Sequence, residues 1–330
     1  MATTERTLFV DMTPFRVEPC FVGRVWGWND LRPWYDQVAK KEPIGEVWLT
    51  GDDCEVATGV HSGKTLGEIF RELPQALLGE GAPSGDSPLL IKAIFAREKL
   101  SVQVHPDDRL AQKYGQPRGK TECWYALAAE AGAQVAAGLK AGVTMDEVKA
   151  GIEGGTLEKS LRMLPVHAGD MVYVDAGTVH AIWPGSVLLE TQQNSDLTYR
   201  MYDYGRGREL HIEKSLEAAQ LKTKAGKVLP RVMEDRTILL DCPYFTVERI
   251  PVKVSRSSAS LRREDESKAG LAYLFAAEGS GRVSSPSFGV VDLPPRGIVA
   301  IPAASPVFAI QDMGELDLIR ITPNWPGTTG

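Results

Sequence analysis

Two short stretches set polar side chains two positions apart, a spacing that can do chemistry if it falls on strands. In "KLSVQVHPDD" (99–108), Val102 and Val104 alternate with Ser101, Gln103 and His105. A strand puts the valines on one face and the hydroxyl, amide and imidazole on the other, with Gln103 and His105 about 7 Å apart. "GKTECWYAL" (119–127) repeats the spacing in Lys120 and Glu122, and "AGTVHAI" (176–182) sets His180 just after a glycine-containing turn. Two imidazoles, one carboxylate and one amide oxygen form a ligand set that suits Zn²⁺ and leaves room for a water. Spacing alone leaves the plainer alternatives open. A strand histidine can be a satisfied structural residue, and Lys120 with Glu122 can be a surface ion pair of little energetic value. Asp107 and Asp108, after Pro106, read as helix-capping acids.

A second polar segment, "ETQQNSDLTYRMYDYGRGREL" (190–210), mixes tyrosines, arginines, amides and acids. Asp196, Thr198, Arg200 and Tyr202 share one strand parity, and Arg206 follows six residues after Arg200. The run is too aromatic for a solvated strand and too charged for a core strand, so it reads as the wall of a polar pocket. Arginine there offers bidentate recognition of a phosphate or carboxylate.

These residues need a scaffold, and the rest of the chain reads as one built from strands. Segments such as "TLFVD" (7–11), "PLLIKAIFA", "ECWYALAA", "DMVYVDAG", "SVLLETQQ", "FTVERIPV", "LAYLFAAEG" and "GIVAIPA" are short, apolar and separated by turns rich in the 32 glycines and 21 prolines. Many short strands with regular turns point to a β-sandwich or barrel. Helical spacing is confined to 65–73, 106–115, 144–164 (N-cap Thr144, break at Gly154–Gly155) and 211–221. A basic stretch, "KTKAGKVLPRVMED" (222–235), marks the expected domain boundary. The segments 167–182 and 294–310 share a strand–turn–strand layout, with a histidine after the turn only in the first.

Composition bounds the function. With 330 residues, 43% hydrophobic and 24% charged, the chain has the balance of an ordinary globular protein of about two domains. A net charge of −6 without a Lys/Arg run argues against nucleic-acid or anionic-membrane partners. Four cysteines without a C-x-x-C pair argue against a thiolate zinc site. The first residues lack the basic and apolar regions of a signal peptide, and the apolar run near "PLLIKAIFA" is broken by Lys92, so a cytoplasmic chain with no membrane span is expected. His61, His167 and His211 read as solvated or turn positions. The tryptophans read as packing, with Trp48 and Trp183 the best candidates for stacking on a sugar.

"PLLIKAIFAREKLSVQVHPDD", "GKTECWYAL", "AGTVHAI" and "NSDLTYRMYDYGR", with "IGEVWLTG" (44–51) before them, together resemble the type I mannose-6-phosphate isomerases in their short bacterial form. The resemblance covers roughly residues 5–225. It implies a mainly β fold of two cupin-type β-barrels (jelly rolls) with a few short helices: a catalytic domain over 1–225 and a second barrel over 226–330 without metal ligands. It also implies one Zn²⁺ per chain and interconversion of mannose 6-phosphate and fructose 6-phosphate through a cis-enediol, with a sugar phosphate as partner. Carried over residue by residue, the metal ligands fall on Gln103, His105, Glu122 and His180. The catalytic arginine falls on Arg200, and Lys120, Asp196 and a zinc-bound water are candidates for the proton-transfer base. The substrate phosphate would then sit among Lys92, Ser101, Arg200 and Arg206. Longer relatives carry a lysine where this chain has Arg206, and an arginine there can bind an anion but not act as a base. Three other readings keep the fold: an isomerase of an unphosphorylated sugar, a non-catalytic sugar-binding cupin, and an iron oxygenase built on His105, Glu122 and His180.

Overall fold

The computed structural model describes residues 12–79, 86–252, 255–257 and 270–324. The expected strand at 7–11 lies outside them. The chain is mainly β, with five short α-helices among the described residues. It divides into two compact units, one formed by Met1–Pro19, Asp52–Ser87 and Arg231–Gly330, the other by Cys20–Gly51 and Pro88–Pro230. The cut near 230 falls in the expected basic stretch. The division is otherwise interleaved, where a single cut between 225 and 226 was expected. The reason is strand pairing: Phe15–Val17 pairs antiparallel with Ile298–Ile301, which carries the chain start into the C-terminal unit.

The unit of 20–51 and 88–230 is a sandwich of two antiparallel sheets. A five-stranded sheet runs in the order Tyr199–Tyr202, Val102–Val104, His180–Ile182, Gln134–Leu139, Leu161–Pro165. A seven-stranded sheet runs Gly226–Val228, Met171–Val174, Glu122–Ala129, Ser186–Gln193, Leu89–Phe95, Ile44–Trp48, Cys20–Trp28. Ile94, Trp124, Val172 and Leu188 of the larger sheet share one core with Val135, Ala137 and Ile182 of the smaller, so the two sheets face each other. The outer face of the small sheet buries Val102, Val104, Ala136, Ala181 and Met201 beneath Val148 and Ile152 of the helix Met145–Glu153 and Ala218 of the helix Ile212–Ala218. The alternation read at 101–105 is thereby resolved. Val102 and Val104 are fully buried outward against the helices, worth roughly 1.5–3 kcal/mol each. Gln103 and His105, of opposite parity, point between the sheets.

Local chemistry places the ends of these elements. Thr144 caps the helix Met145–Glu153 and Glu147 returns the bond in a capping box. Asp107 caps Asp108–Lys113 by accepting from the Leu110 amide, while Asp108 accepts from the Gly119 amide and Gln193 Nε2, so it ties loops together rather than capping. The expected helix over 144–164 stops at Glu153. After the glycine pair the chain makes one 3₁₀ turn, Leu157–Ser160, and then a strand, Leu161–Pro165, which pairs with Gln134–Leu139. Sheet pairing overrides the helical spacing of "LEKSLRML" there.

The other unit carries a nine-stranded sheet whose longest members, Ala272–Ser285 and Ala309–Pro323, pair along most of their length through several register shifts. Its core gathers Ile250, Leu274, Val283, Leu293, Val299, Phe308, Ile310 and Leu318.

Candidate active site and metal centre

Strand register builds the site as two facing rows. On the small sheet His180 pairs with Gln103 and Ala137, and Arg200 pairs with Gln103, so Arg200, Gln103 and His180 lie side by side on one face. On the large sheet Glu190 pairs with Lys92 and Trp124, and Lys92 pairs with Trp48. Glu122, two residues before Trp124, and Glu46, two before Trp48, share that row's face. Lys120 is brought in by the close approach of Gly119 to Pro106 and Asp107, where a Cβ would sit 2.5 Å from the Pro106 carbonyl oxygen. The Lys120 amide then donates to that carbonyl at 3.0 Å.

His105, Glu122 and His180 are almost completely buried and converge, each offering a ligand atom within 4.8 Å of the others. Nδ1 of His105 lies 2.6 Å from the Leu197 carbonyl oxygen, and Nδ1 of His180 lies 2.8 Å from that of Thr178. Because a carbonyl can only accept, each Nδ1 carries the proton, and each Nε2 turns its lone pair inward. Both Nε2 atoms lie 3.4 Å from oxygens of Glu122. Glu122 Oε1 is buried without a hydrogen-bond partner. A carboxylate oxygen without a donor beside an imidazole lone pair is a costly arrangement unless a cation joins them. The backbone bonds that fix both tautomers are the outer-shell supports that metal-ligating histidines use. Burial, with repulsion from Lys120, holds the His105 imidazole well below its ordinary value. Burial also takes His180 down to about 4, against its Thr178 bond. Both are neutral near pH 7, as ligands must be. Gln103 adjoins this trio: its Nε2 donates to His180 Nε2 at 3.2 Å and its Oε1 accepts from Ser101 at 3.4 Å.

The rest of the wall is an alternating charge ladder. Lys120 donates to Glu122 and lies 2.9 Å from His105 Nε2. Glu190 Oε1 is 3.0 Å from Lys92 and 3.7 Å from Lys120. Lys92 also meets Glu46 at 3.4 Å, and Glu46 receives Arg24 at 2.9 Å and the Trp48 indole at 2.8 Å. Trp124 donates to Glu190 at 3.0 Å. Burial pushes Glu46 up, but Lys92, Arg24 and Trp48 outweigh it and hold the carboxyl down at about 2. Burial also opposes the charge on Lys92, and the carboxylates of Glu190, Glu46 and Glu122 outweigh it, raising that ammonium.

These groups open on a cavity of about 470 Å³, also lined by Trp26, Glu42, Ser101, Gln103, Asp196, Thr198, Arg200 and Arg208. Of the expected site residues, the cavity thus gathers Lys92, Ser101, Gln103, Lys120, Asp196 and Arg200, with His105, Glu122 and His180 directly behind Lys120 and Gln103. Arg206 is not brought there: it bonds the Lys99 carbonyl and Glu98 instead. Arg24, Glu46, Glu190 and Arg208 were not singled out from the sequence. Glu46–Trp48 and Glu190–Gln192 carry the same i, i+2 spacing that flagged Gln103–His105, which is the signal that could have found two of them. His211 is not simply solvated, because its Nδ1 accepts from the Arg200 amide at 3.2 Å. Trp48 and Trp183 are engaged by Glu46 and by the Lys99 ammonium, 5.3 Å from the Trp183 ring.

Residues 19–137 match the family described as phosphomannose isomerase type I, catalytic domain. The chain is 35% identical over 270 residues to the mannose-6-phosphate isomerase of Streptococcus mutans, covering 78% of this chain and 83% of the relative. It is 36% identical over 288 residues to the mannose-6-phosphate isomerase ManA of Bacillus subtilis, covering 82% and 88%. The crystal structure of the Bacillus subtilis mannose 6-phosphate isomerase superposes with a TM-score of 0.81 at 31% identity, covering 94% of this chain and 99% of that one. With the buried histidine–glutamate centre, the facing rows and these likenesses together, the chain belongs to the type I mannose-6-phosphate isomerases, a family of aldose–ketose isomerases.

Proposed function

We propose that this chain is a cytoplasmic, zinc-dependent enzyme of cupin-type fold that interconverts mannose 6-phosphate and fructose 6-phosphate by proton transfer through a cis-enediol. The observation that carries the reading is the convergence of two tautomer-fixed imidazoles on buried Glu122, His180 facing its unpartnered Oε1 and His105 facing Oε2, within 4.8 Å of one another. His105, Glu122 and His180 would hold the ion, with the Gln103 amide beside His180 as the fourth donor. A divalent ion bound there supplies Lewis-acid polarisation of the sugar oxygens.

The chain's own residues supply the rest. Among the cations lining the cavity, Arg24, Lys92, Lys120 and Arg208 each have a carboxylate within 4 Å. Arg200 has none; its Nη1 donates to the Glu209 carbonyl at 3.0 Å, and its Nε is buried without a partner. It therefore has a donor to spare for charge that develops on the enediolate or for the substrate's own anion. Lys120, in the buried wall, and Asp196, in the exposed part of the lining, both line the cavity and are the side chains we assign to carry the proton between C1 and C2. Lys92 and Ser101 face the same space as polar contacts for the sugar phosphate.

A coupled assay with mannose 6-phosphate tests the reading. Turnover is expected in the purified protein and abolition in His105→Ala. Comparable turnover of free mannose would point to an isomerase of unphosphorylated sugars instead.

A further inference from the structure

We propose that Arg208, paired with Arg200, is the receptor for the substrate's anionic group, and that Arg206, taken up in fastening the turn, is not part of it. The inference rests on the sugar-phosphate reading above and names the residues of its anion end.

The two arginines lie at the same wall because the segment that follows Tyr199–Tyr202 folds back on it. The His211 amide donates to the Arg200 carbonyl at 2.8 Å, and the Arg200 amide donates to His211 Nδ1. Between them the chain reverses through Tyr204, Gly205 and Gly207, all with left-handed φ of 55°, 77° and 78°. Glycine meets that demand freely, whereas Tyr204 is held there by its contacts. Arg206 supplies one of them and ties the turn down at two other points. Its guanidinium lies 5.3 Å from the Tyr204 ring centroid, and it donates to the Lys99 carbonyl at 2.8 Å and to Glu98 at 3.0 Å. Lys99 covers the same ring at 5.4 Å while paired to Glu158 at 2.6 Å. Arg206 is therefore spent on fastening the turn to the strand entrance before Ser101.

Arg208 is presented differently. Its Nε and Nη2 form a fork on Asp203, at 2.8 and 2.5 Å, and Asp203 is buried. The fork fixes the plane of the guanidinium and leaves its Nη1 edge for the cavity it lines. Deeper in the wall each lysine or arginine is matched by Glu46, Glu190 or Glu122. At this end Asp203 is taken up by Arg208, with Arg206 at 3.5 Å, and Arg200 has no carboxylate within 4 Å among the described residues; Asp196 and Glu42 are the further acids of the lining. Burial and the neighbouring Arg208 both depress Arg200, against Asp203 and Glu209. An entering dianion relieves that repulsion and takes up the spare donors of both forks.

The test is inhibition of mannose 6-phosphate turnover by inorganic phosphate, measured for wild type, Arg208→Gln, Arg208→Lys and Arg206→Gln. Glutamine at 206 can still donate to the Lys99 carbonyl, so its inhibition constant should stay within about threefold of wild type. Arg208→Gln should weaken phosphate at least about tenfold, as expected for a lost charge-assisted bond, and raise KM by a similar factor while kcat changes less. Arg208→Lys keeps the charge but not the fork and should fall between, which also serves if the glutamine variant folds poorly. Unchanged phosphate inhibition in both Arg208 variants, or a larger loss in Arg206→Gln than in Arg208→Gln, overturns the inference and leaves the isomerase reading standing. A wild type that does not turn over mannose 6-phosphate overturns both.

Discussion

Both units of the molecule bury charge, and they do so to different ends. In the C-terminal unit Glu248 is 1% exposed, and each of its oxygens meets one arginine, Arg236 at 3.3 Å and Arg320 at 3.1 Å. In the sandwich of 20–51 and 88–230, Glu122 is equally buried, but only Oε2 meets a cation, Lys120; Oε1 has no donor, and an imidazole Nε2 lies 3.4 Å from each oxygen. The same residue type is a closed structural ion pair in one place and, in the other, part of a trio that could hold a metal ion. What separates them is completeness: a satisfied buried carboxylate supports the fold, and an unsatisfied one beside other acceptors is waiting for a ligand.

The largest expected effect breaks the comparison on its functional side. Glu122→Gln should remove metal from the protein and lower kcat by at least about a thousandfold, because transition-state charge loses its main support. Its thermal midpoint without metal should fall modestly, since buried Lys120 loses one carboxylate partner but keeps Glu190 at 3.7 Å. Glu248→Gln should do the reverse, costing roughly 3–5 kcal/mol of stability in denaturant titrations while kcat of the folded protein stays at the wild-type level. Next in size, Arg200→Lys should reduce kcat by about a hundredfold with metal content unchanged, measured by steady-state kinetics beside elemental analysis.

The pH dependence of stability sharpens the contrast further. His180 titrates near 4 in the folded state, below the 6.5 of an exposed imidazole, so the unfolded chain takes up a proton that the native one refuses. Stability is fully present above about 6.5 and is lost as pH falls toward 4, at up to roughly 1.4 kcal/mol per pH unit for each such group. Glu46, held near 2, adds a second loss of the same sign once the pH drops below the ordinary 4.5. Denaturant midpoints at pH 7, 5.5 and 4.5 should therefore fall. His180→Gln should flatten the step between 7 and 5.5.

The two capping boxes make the smallest prediction and a control. Thr65–Glu68 belongs to one unit and Thr144–Glu147 to the other. Thr65→Ala and Thr144→Ala should each cost about 1 kcal/mol and leave kcat unchanged.

Much of this was legible in the sequence where period and chemistry agree. Val102 and Val104 alternating with Gln103 and His105 specify one buried and one functional face, and the strand carries both. The caps at Thr144 and Asp107 follow from local hydrogen bonding. What was not legible depends on pairing between distant strands. Arg24, Glu46 and Glu190 acquire meaning only when Ile44–Trp48, Leu89–Phe95 and Ser186–Gln193 lie side by side. Arg208 replaces Arg206 at the cavity because a left-handed turn at 204–207 reverses the chain, which no residue spacing encodes. The interleaving of the units likewise reflects a pairing between Phe15–Val17 and Ile298–Ile301 that spans nearly the whole chain.

The central claim is that the buried centre of His105, Glu122 and His180 holds the ion on which isomerisation depends. Elemental analysis and mannose 6-phosphate turnover, followed together through chelation and zinc replacement, test it most directly. The account predicts close to one zinc per chain, with metal and activity lost together and restored together. Full turnover in metal-free protein, or an undiminished metal content and rate in His105→Ala, would contradict it.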